Sequence, residues 1–116
     1  MDPKSLKEVP QIDVKTTYEQ WKNGEVGLVD VREPSEWDLG HIEGVAFIPM
    51  GQLPARLQEL DASKKWICVC RSGNRSNYTA AMLRQVGMDA SNMTGGMLDW
   101  NAKKLPITPP GIVENR

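Results

Sequence analysis

The fold is decided by the stretch Trp66-Ile67-Cys68-Val69-Cys70-Arg71-Ser72-Gly73-Asn74-Arg75-Ser76 and by the helical pattern that follows it. Residues 66–69 form an unbroken apolar run of strand length, which is typical of a central strand in a parallel sheet covered on both faces. After the loop, Tyr78, Met82 and Val86 recur four residues apart, with Leu83 beside them. This spacing predicts an amphipathic helix that packs on the sheet.

The loop between this strand and this helix, residues 70–75, has the character of an anion-binding turn. Gly73 permits the unusual backbone angles of a tight curl, and such a curl directs successive backbone N–H groups towards the start of the helix. Arg71 and Arg75 lie beside the positive end of the helix dipole, where a cation is unfavourable unless an anion is also present. The loop therefore predicts a negatively charged ligand or reaction centre.

Cys70 is the predicted nucleophile, because the same electrostatic field stabilises its thiolate over its thiol. Cys68 precedes it by two residues, so both side chains leave the strand on one side. A thiol in the middle of an apolar strand is usually an inert buried group, and we assign Cys68 to the core. His41 is the only histidine, and we interpret it as a structural support in a loop rather than as a base for Cys70.

With these features in place, the chain resembles the rhodanese-like sulfurtransferase domains over nearly its whole length. The residues that carry the resemblance are the loop 70–76, Asp30-Val31-Arg32-Glu33-Pro34, Glu36-Trp37, Gly40-His41-Ile42-Glu43-Gly44, Ile48-Pro49, Gly95-Gly96 and Trp100. The resemblance implies an α/β fold of the rhodanese-like kind, with a small, mainly parallel sheet flanked by short helices. The alternation of short predicted strands and helices along the chain favours the same class.

The resemblance also implies a function, namely transfer of a sulfane sulfur from thiosulfate or another persulfide donor to a thiol or cyanide acceptor. The sulfur would be carried on Cys70 as a persulfide. The implied substrate-binding residues are Arg71, Ser72, Gly73, Asn74 and Arg75. The expected partners are a small anionic sulfur donor and a protein sulfur donor or acceptor, and neither a cofactor nor a metal is expected.

Asp30, Arg32 and Ser76 are candidate supporting residues of the same site. Asp30 lies near the C-terminal end of a predicted strand, residues 28–31, at the edge where open α/β sheets place their ligand crevice. Its carboxylate has two readings from the sequence: it orients the site, or it forms a structural ion pair with Arg32 or a loop arginine. The residues leave both alternatives open.

Three other functions compete with a stand-alone sulfurtransferase. A persulfide carrier in a protein sulfur relay would use the same loop. A cysteine-dependent phosphatase or arsenate reductase would place its arginine six positions after the cysteine, whereas here that position is Ser76 and the arginine is Arg75. A binding or regulatory module would have no need of Cys70 and its complete loop. The spacing and the intact loop disfavour the last two.

Composition is consistent with one small domain that acts on small molecules or proteins. The chain has 116 residues and a formal net charge of −1, which gives no general attraction to nucleic acid or to a membrane surface. The N-terminus lacks the apolar core of a secretory signal, and two cysteines so close in a strand suit a reducing compartment. We expect a cytoplasmic protein without nucleic-acid or membrane partners.

The remaining chain divides into an N-terminal arm, residues 1–11, a domain, residues 12–105, and an extended C-terminal tail, residues 106–116. Residues 12–14 predict a short edge strand. Two overlapping capping boxes, Thr16 with Glu19 and Thr17 with Gln20, predict the start of the first helix of the domain. Leucines three and four residues apart predict another helix over residues 53–60.

Overall fold

The computed structural model describes residues 3–109, and its strands form one sheet in which every pair is parallel. The strands are β1 (Gln11–Ile12), β2 (Gly27–Asp30), β3 (Ala46–Phe47), β4 (Trp66–Val69) and β5 (Ala90–Met93). Their order across the sheet is β1-β5-β4-β2-β3, so β4 is central, as the apolar run predicted. The predicted fold class, a small mainly parallel sheet flanked by short helices, is confirmed.

The helices cover both faces of this sheet. They are α1 (Pro3–Lys7), α2 (Val14–Lys22), α3 (Pro34–Leu39), α4 (Asn74–Gln85) and α5 (Gly96–Ala102), with two 3₁₀ segments, Met50–Gln52 and Pro54–Glu59, between β3 and β4. Side chains alternate along β4 between the two faces. Cys68 belongs to the apolar cluster that contains α4, and Ile67 belongs to the opposite cluster, which contains Trp100 of α5.

Helix α4 packs on the sheet as predicted, with Leu83 buried and Met82 against the core, but its buried face is turned away from Tyr78 and Val86. Tyr78 is 44% exposed and Val86, at the end of the helix, is 55% exposed. The buried residues of the helix are Ser76, Thr79, Ala80, Ala81 and Leu83. Small side chains let the helix approach the strands closely, and this close packing outweighs the burial of the larger residues four apart.

The start of α2 also differs from the prediction. Asp13, and not Thr16 or Thr17, is the N-cap residue, because its carboxylate accepts a hydrogen bond from the backbone N–H of Thr16 at 2.8 Å. The helix consequently begins at Val14, which the sequence placed in a strand, and β1 ends at Ile12.

The segment predicted as a helix over residues 53–60 is a pair of 3₁₀ turns with non-helical angles at Arg56. Pro54 has no N–H to donate, and the bonds that form are three residues long, such as Arg56 N–H to the Leu53 carbonyl at 3.1 Å. Leu53 and Leu60 are nevertheless buried, as predicted.

Both ends of the described chain lie on the domain. Residues 3–7 of the predicted arm form helix α1, which contacts α4. In the predicted tail, Thr108 pairs with His41 through two backbone hydrogen bonds, and Ile107 packs on the cluster around α5. Residues 110–116 of that tail lie outside the described residues. No helix within residues 3–109 has the length and apolar character needed to cross a membrane.

Candidate active site

The predicted nucleophile lies where the central strand ends. Cys70 directly follows β4 and is only 1% exposed. Gly73, at φ +104°, turns the chain into α4 and aims its backbone N–H at Cys70 Sγ from 3.1 Å. The hydroxyl of Ser76 lies 3.2 Å from the same sulfur. The backbone N–H of Gly73 in the loop and the hydroxyl of Ser76 in the first turn of α4 therefore both lie within hydrogen-bond distance of the sulfur.

Helix α5 holds the loop through backbone hydrogen bonds. The backbone N–H of Met97 donates to the Cys70 carbonyl at 2.9 Å, and the N–H of Leu98 donates to the Arg71 carbonyl at 3.0 Å. A Cβ on Gly96 would lie 2.6 Å from the Cys70 carbonyl oxygen and would also meet the Arg71 carbonyl. Gly96 thus lets the two backbones approach closely.

Asn92 is a second support of the loop, and the sequence did not single it out. This amide is 3% exposed in the middle of β5. Its Nδ2 donates to the Gly73 carbonyl at 3.0 Å and to Gln11 Oε1 at 2.8 Å. Its Oδ1 accepts from the Ser76 hydroxyl at 2.5 Å. An Asn is unusual in a buried strand, and that was the only signal for it in the sequence.

Ser76 therefore has two acceptors for a single hydroxyl hydrogen. Asn92 is fixed in orientation because its Nδ2 faces a backbone carbonyl, which can only accept. The Ser76 hydrogen points either to Asn92 Oδ1 or to Cys70 Sγ. An anionic sulfur makes the second arrangement favourable, since hydrogen bonds to charged acceptors are the stronger ones.

Asp30 and Arg32 form a fully buried ion pair, at 1% and 0% exposure. Arg32 Nη2 lies 2.8 Å from Asp30 Oδ2, and Arg32 Nε lies 3.0 Å from Oδ1. Arg32 also donates to the Gly40 carbonyl at 2.8 Å. The geometry matches the structural ion pair that the sequence left as one of two readings. A direct role for either residue in the reaction stays a prediction.

Arg75 has an anionic partner within the protein itself. Its two terminal nitrogens each donate to one carboxylate oxygen of Glu36, both at 2.7 Å. These hydrogen bonds lower the pKa of Glu36 from 4.5 to about 2. They also raise the pKa of Arg75, with smaller contributions from the charges of Cys70 and Asp30. The sequence predicted an anion beside Arg75 but missed Glu36, which lies 39 residues away along the chain.

The Glu36–Arg75 pair predicts a specific pH dependence of stability. Because the pKa of Glu36 is lower in the folded chain than its ordinary value, the pair stabilises the fold above about pH 4.5. That contribution is lost as the pH falls towards about 2. We expect the difference in unfolding free energy between the parent and Glu36→Gln, measured by urea denaturation, to shrink across this interval. A difference that does not vary with pH would contradict the assignment.

The other loop residues lie at the rim. Ser72 and Asn74 are exposed, and Arg71 is half-buried. Their accessibility is compatible with the predicted contacts to a substrate, and those contacts stay predictions.

Cys68 and His41 occupy structural positions. Burial raises the pKa of the Cys68 thiol to about 12, so this side chain is un-ionised at neutral pH. His41 stacks on Trp37 with ring centroids 3.6 Å apart, and its Nδ1 lies 2.9 Å from the Trp37 carbonyl. Within residues 3–109 no group of three or more His, Cys, Asp or Glu side chains is placed to hold a metal ion.

Comparison with known proteins agrees with this geometry. The family model described as a rhodanese-like domain matches residues 13–103. A protein from Allochromatium vinosum named "Sulfurtransferase" is 35% identical over 104 residues, which cover 88% of this chain and 97% of the relative. The "Putative sulfur carrier protein YrkF" of Bacillus subtilis is 32% identical over 97 residues, which cover 82% of this chain and 52% of that relative.

A solved structure has a similar fold over most of this chain. The crystal structure of a rhodanese-related protein from Thermoplasma volcanium superposes with a TM-score of 0.80 at 30% sequence identity. The match covers 85% of this chain and 97% of the other.

Proposed function

Since this chain belongs to the rhodanese-like domain family, we propose that it is a sulfurtransferase that carries a sulfane sulfur on Cys70. The donor is thiosulfate or another persulfide donor, and the acceptor is a thiol or cyanide. The observation that carries the proposal is the pair of donors on one sulfur: Gly73 N–H at 3.1 Å and the Ser76 hydroxyl at 3.2 Å from Cys70 Sγ.

The first half-reaction loads the cysteine. The Cys70 thiolate attacks the outer sulfur of thiosulfate, and a new S–S bond forms to Sγ. The S–S bond of the donor breaks, and sulfite leaves with its electron pair. The product is a persulfide anion on Cys70. Because the outer sulfur of thiosulfate is already a sulfane sulfur, its transfer to the thiolate needs no external oxidant.

The second half-reaction regenerates the thiolate. Cyanide or a thiolate attacks the outer sulfur of the persulfide and removes it, and Cys70 leaves with the electron pair. The Gly73 N–H and the Ser76 hydroxyl lie within hydrogen-bond distance of Sγ. They therefore stabilise the negative charge of the Cys70 thiolate, from which the first half-reaction starts and which the second restores. Asn92 and α5 contribute indirectly, because they hold Gly73, Ser76 and the Cys70 carbonyl in position.

A persulfide carrier in a protein relay is the second candidate, and the similarity to YrkF, which is named a sulfur carrier, favours considering it. A carrier would receive sulfur from a protein persulfide faster than from thiosulfate. Transfer of labelled sulfur from a cysteine desulfurase, compared with loading by thiosulfate, distinguishes the two. Both cysteines are free thiols in the structure, which suits a reducing compartment, and we propose the cytoplasm.

The test is the intact mass of the reduced protein after incubation with thiosulfate and then with cyanide. We expect one added sulfur atom after the first step and its removal after the second. A protein persulfide donor is run in parallel. The absence of added sulfur with both donors would overturn the proposal.

A further inference from the structure

The charge of Arg75, in the first turn of α4, is already neutralised by a carboxylate from another helix. Glu36 belongs to α3, and both of its oxygens accept from Arg75 at 2.7 Å. The pair is largely screened from solvent, with exposures of 18% for Glu36 and 34% for Arg75. A bidentate pair of this length is among the stronger charge-assisted interactions in proteins.

Glu36 is held in place by contacts other than Arg75. Its Oε1 accepts from the backbone N–H of Glu33 at 2.9 Å, as part of the capping box that begins α3. Its backbone carbonyl accepts from Arg32 Nη1 at 3.3 Å, and Arg32 is itself fixed in the buried pair with Asp30. The carboxylate therefore has its position set by α3, and its negative charge stays beside the loop whatever Arg75 does.

This arrangement changes what the loop offers to a donor. Arg75 directly precedes Ser76, whose hydroxyl contacts the Cys70 sulfur. The guanidinium is close enough to Cys70 for the charge of that sulfur to contribute to the raised pKa of Arg75, so a donor at this sulfur lies within the field of the ion pair. If Arg75 were unpaired, its charge would favour a donor with two negative charges such as thiosulfate. With Glu36 in place, the pair has no net charge, and a doubly charged donor meets the Glu36 carboxylate as well.

We propose that Glu36 determines donor specificity: it neutralises Arg75 beside Cys70 and so lowers the rate of loading from doubly charged sulfane donors relative to singly charged ones, such as organic persulfides. This inference rests on the proposed sulfur transfer through Cys70 and adds to it the charge class of the donor.

The test uses two donors of matched shape and different charge. Thiosulfate carries two negative charges, whereas methanethiosulfonate carries one, because a methyl group replaces one sulfonate oxygen. Each gives its outer sulfur to Cys70 and releases sulfite or methanesulfinate, respectively. The rate at which the intact mass gains one sulfur is measured for each donor, and the ratio of the two rates is the readout. Any loss of folded protein cancels in this ratio.

Glu36→Gln is expected to raise the ratio of thiosulfate to methanethiosulfonate loading about fivefold, the effect of removing one elementary charge at short range in a partly screened site. The change should diminish as salt is added. Glu59→Gln is the matched control, because Glu59 also forms a bidentate pair with an arginine, Arg56, outside the loop and α3. This control should leave the ratio at the parent value.

An unchanged ratio in Glu36→Gln, or an equal change in Glu59→Gln, would overturn the specificity role while sulfur still loads on Cys70. If no sulfur is added from thiosulfate, methanethiosulfonate or the protein persulfide donor to any of these proteins, the proposed function itself fails. Loading from the protein persulfide alone would overturn only the role of Glu36 in choosing between the two small donors. The two failures are therefore distinguishable.

Discussion

Cys70→Ser is expected to abolish sulfur loading completely, with no added sulfur mass from any donor, while the protein stays folded. The substitution replaces a nucleophilic thiolate by a hydroxyl that is not ionised at neutral pH. The other thiol, Cys68, is buried and un-ionised, because burial raises its pKa to about 12. The hydroxyl is slightly smaller than the thiol and still faces the Gly73 N–H, which donates to Sγ at 3.1 Å in the parent. The fold should therefore lose little stability.

Cys68→Ser is the matched control for this prediction. Both thiols are buried in the same cluster, and the substitution is chemically identical. At Cys68 it places a hydroxyl in a buried cluster where the Thr79 side chain is a polar neighbour, at a cost of about 1–3 kcal/mol in unfolding free energy. The folded fraction should still take up one sulfur at the parent rate. Urea denaturation and intact mass after thiosulfate measure the two effects separately.

A loss of loading in both folded cysteine variants would contradict the separate roles. Sulfur loading that survives in Cys70→Ser would show that another side chain is the nucleophile. Either result is visible in the mass of the intact protein, without an assumption about the acceptor.

The central part of the fold could be predicted from local sequence. The apolar run 66–69 is long enough for a strand and has no polar face, and such a segment is stable only between two covered faces. The loop and helix after it follow from Gly73 and from the helical spacing. These signals lie within one short stretch, so no long-range information was needed to predict β4, the loop and α4.

Details that depend on competing local interactions were harder to predict. Three apolar residues four apart on α4 suggested the buried face, yet Ala80 and Ala81 face the sheet, because packing distance and not side-chain size decided the orientation. Likewise Thr16 is a good capping residue, but Asp13 caps the helix one turn earlier. Packing on the sheet decided the orientation of α4, whereas a local hydrogen bond from Thr16 N–H to Asp13 decided where α2 begins.

The candidate site was predictable where its residues are contiguous and not where they come together across the sheet. Cys70 and its loop are one sequence motif. Glu36 and Asn92 reach the loop from α3 and β5, and only the parallel order of the strands brings them there. Glu36 reads as an ordinary helix residue, and Asn92 as a polar residue in a weak strand. Neither spacing nor composition distinguishes such residues from solvent-exposed ones.

Asp30→Ala is expected to be the most destabilising of the substitutions considered, with a loss of about 3–5 kcal/mol in unfolding free energy. It leaves the guanidinium of Arg32 without its counter-ion at 0% exposure, and an unpaired buried charge cannot be solvated by water. A small domain has a total stability of about 5–15 kcal/mol, so a substantial fraction of the variant should be unfolded at physiological temperature. Urea denaturation at neutral pH measures the loss.

Lys103→Ala gives the comparison at the surface. Lys103 pairs with Asp99 at 2.8 Å, the same distance as Arg32 to Asp30, but the pair is exposed. Removing it should cost about 0.3–0.5 kcal/mol, because water screens exposed pairs. Equal losses in Asp30→Ala and Lys103→Ala would show that burial does not set the energy of these pairs.

Asp30→Ala also decides between the two interpretations of the Asp30 carboxylate. If the carboxylate is structural, the folded fraction of Asp30→Ala, isolated at low temperature, should load sulfur at nearly the parent rate. If instead the variant is as stable as the parent and fails to load, Asp30 acts in the reaction and the structural reading is wrong. The expected result is the first, since Asp30 accepts hydrogen bonds from both the backbone and the side chain of Arg32. Arg32 in turn donates to the backbone carbonyls of Glu36 in α3 and of Gly40 at the C-terminal end of that helix.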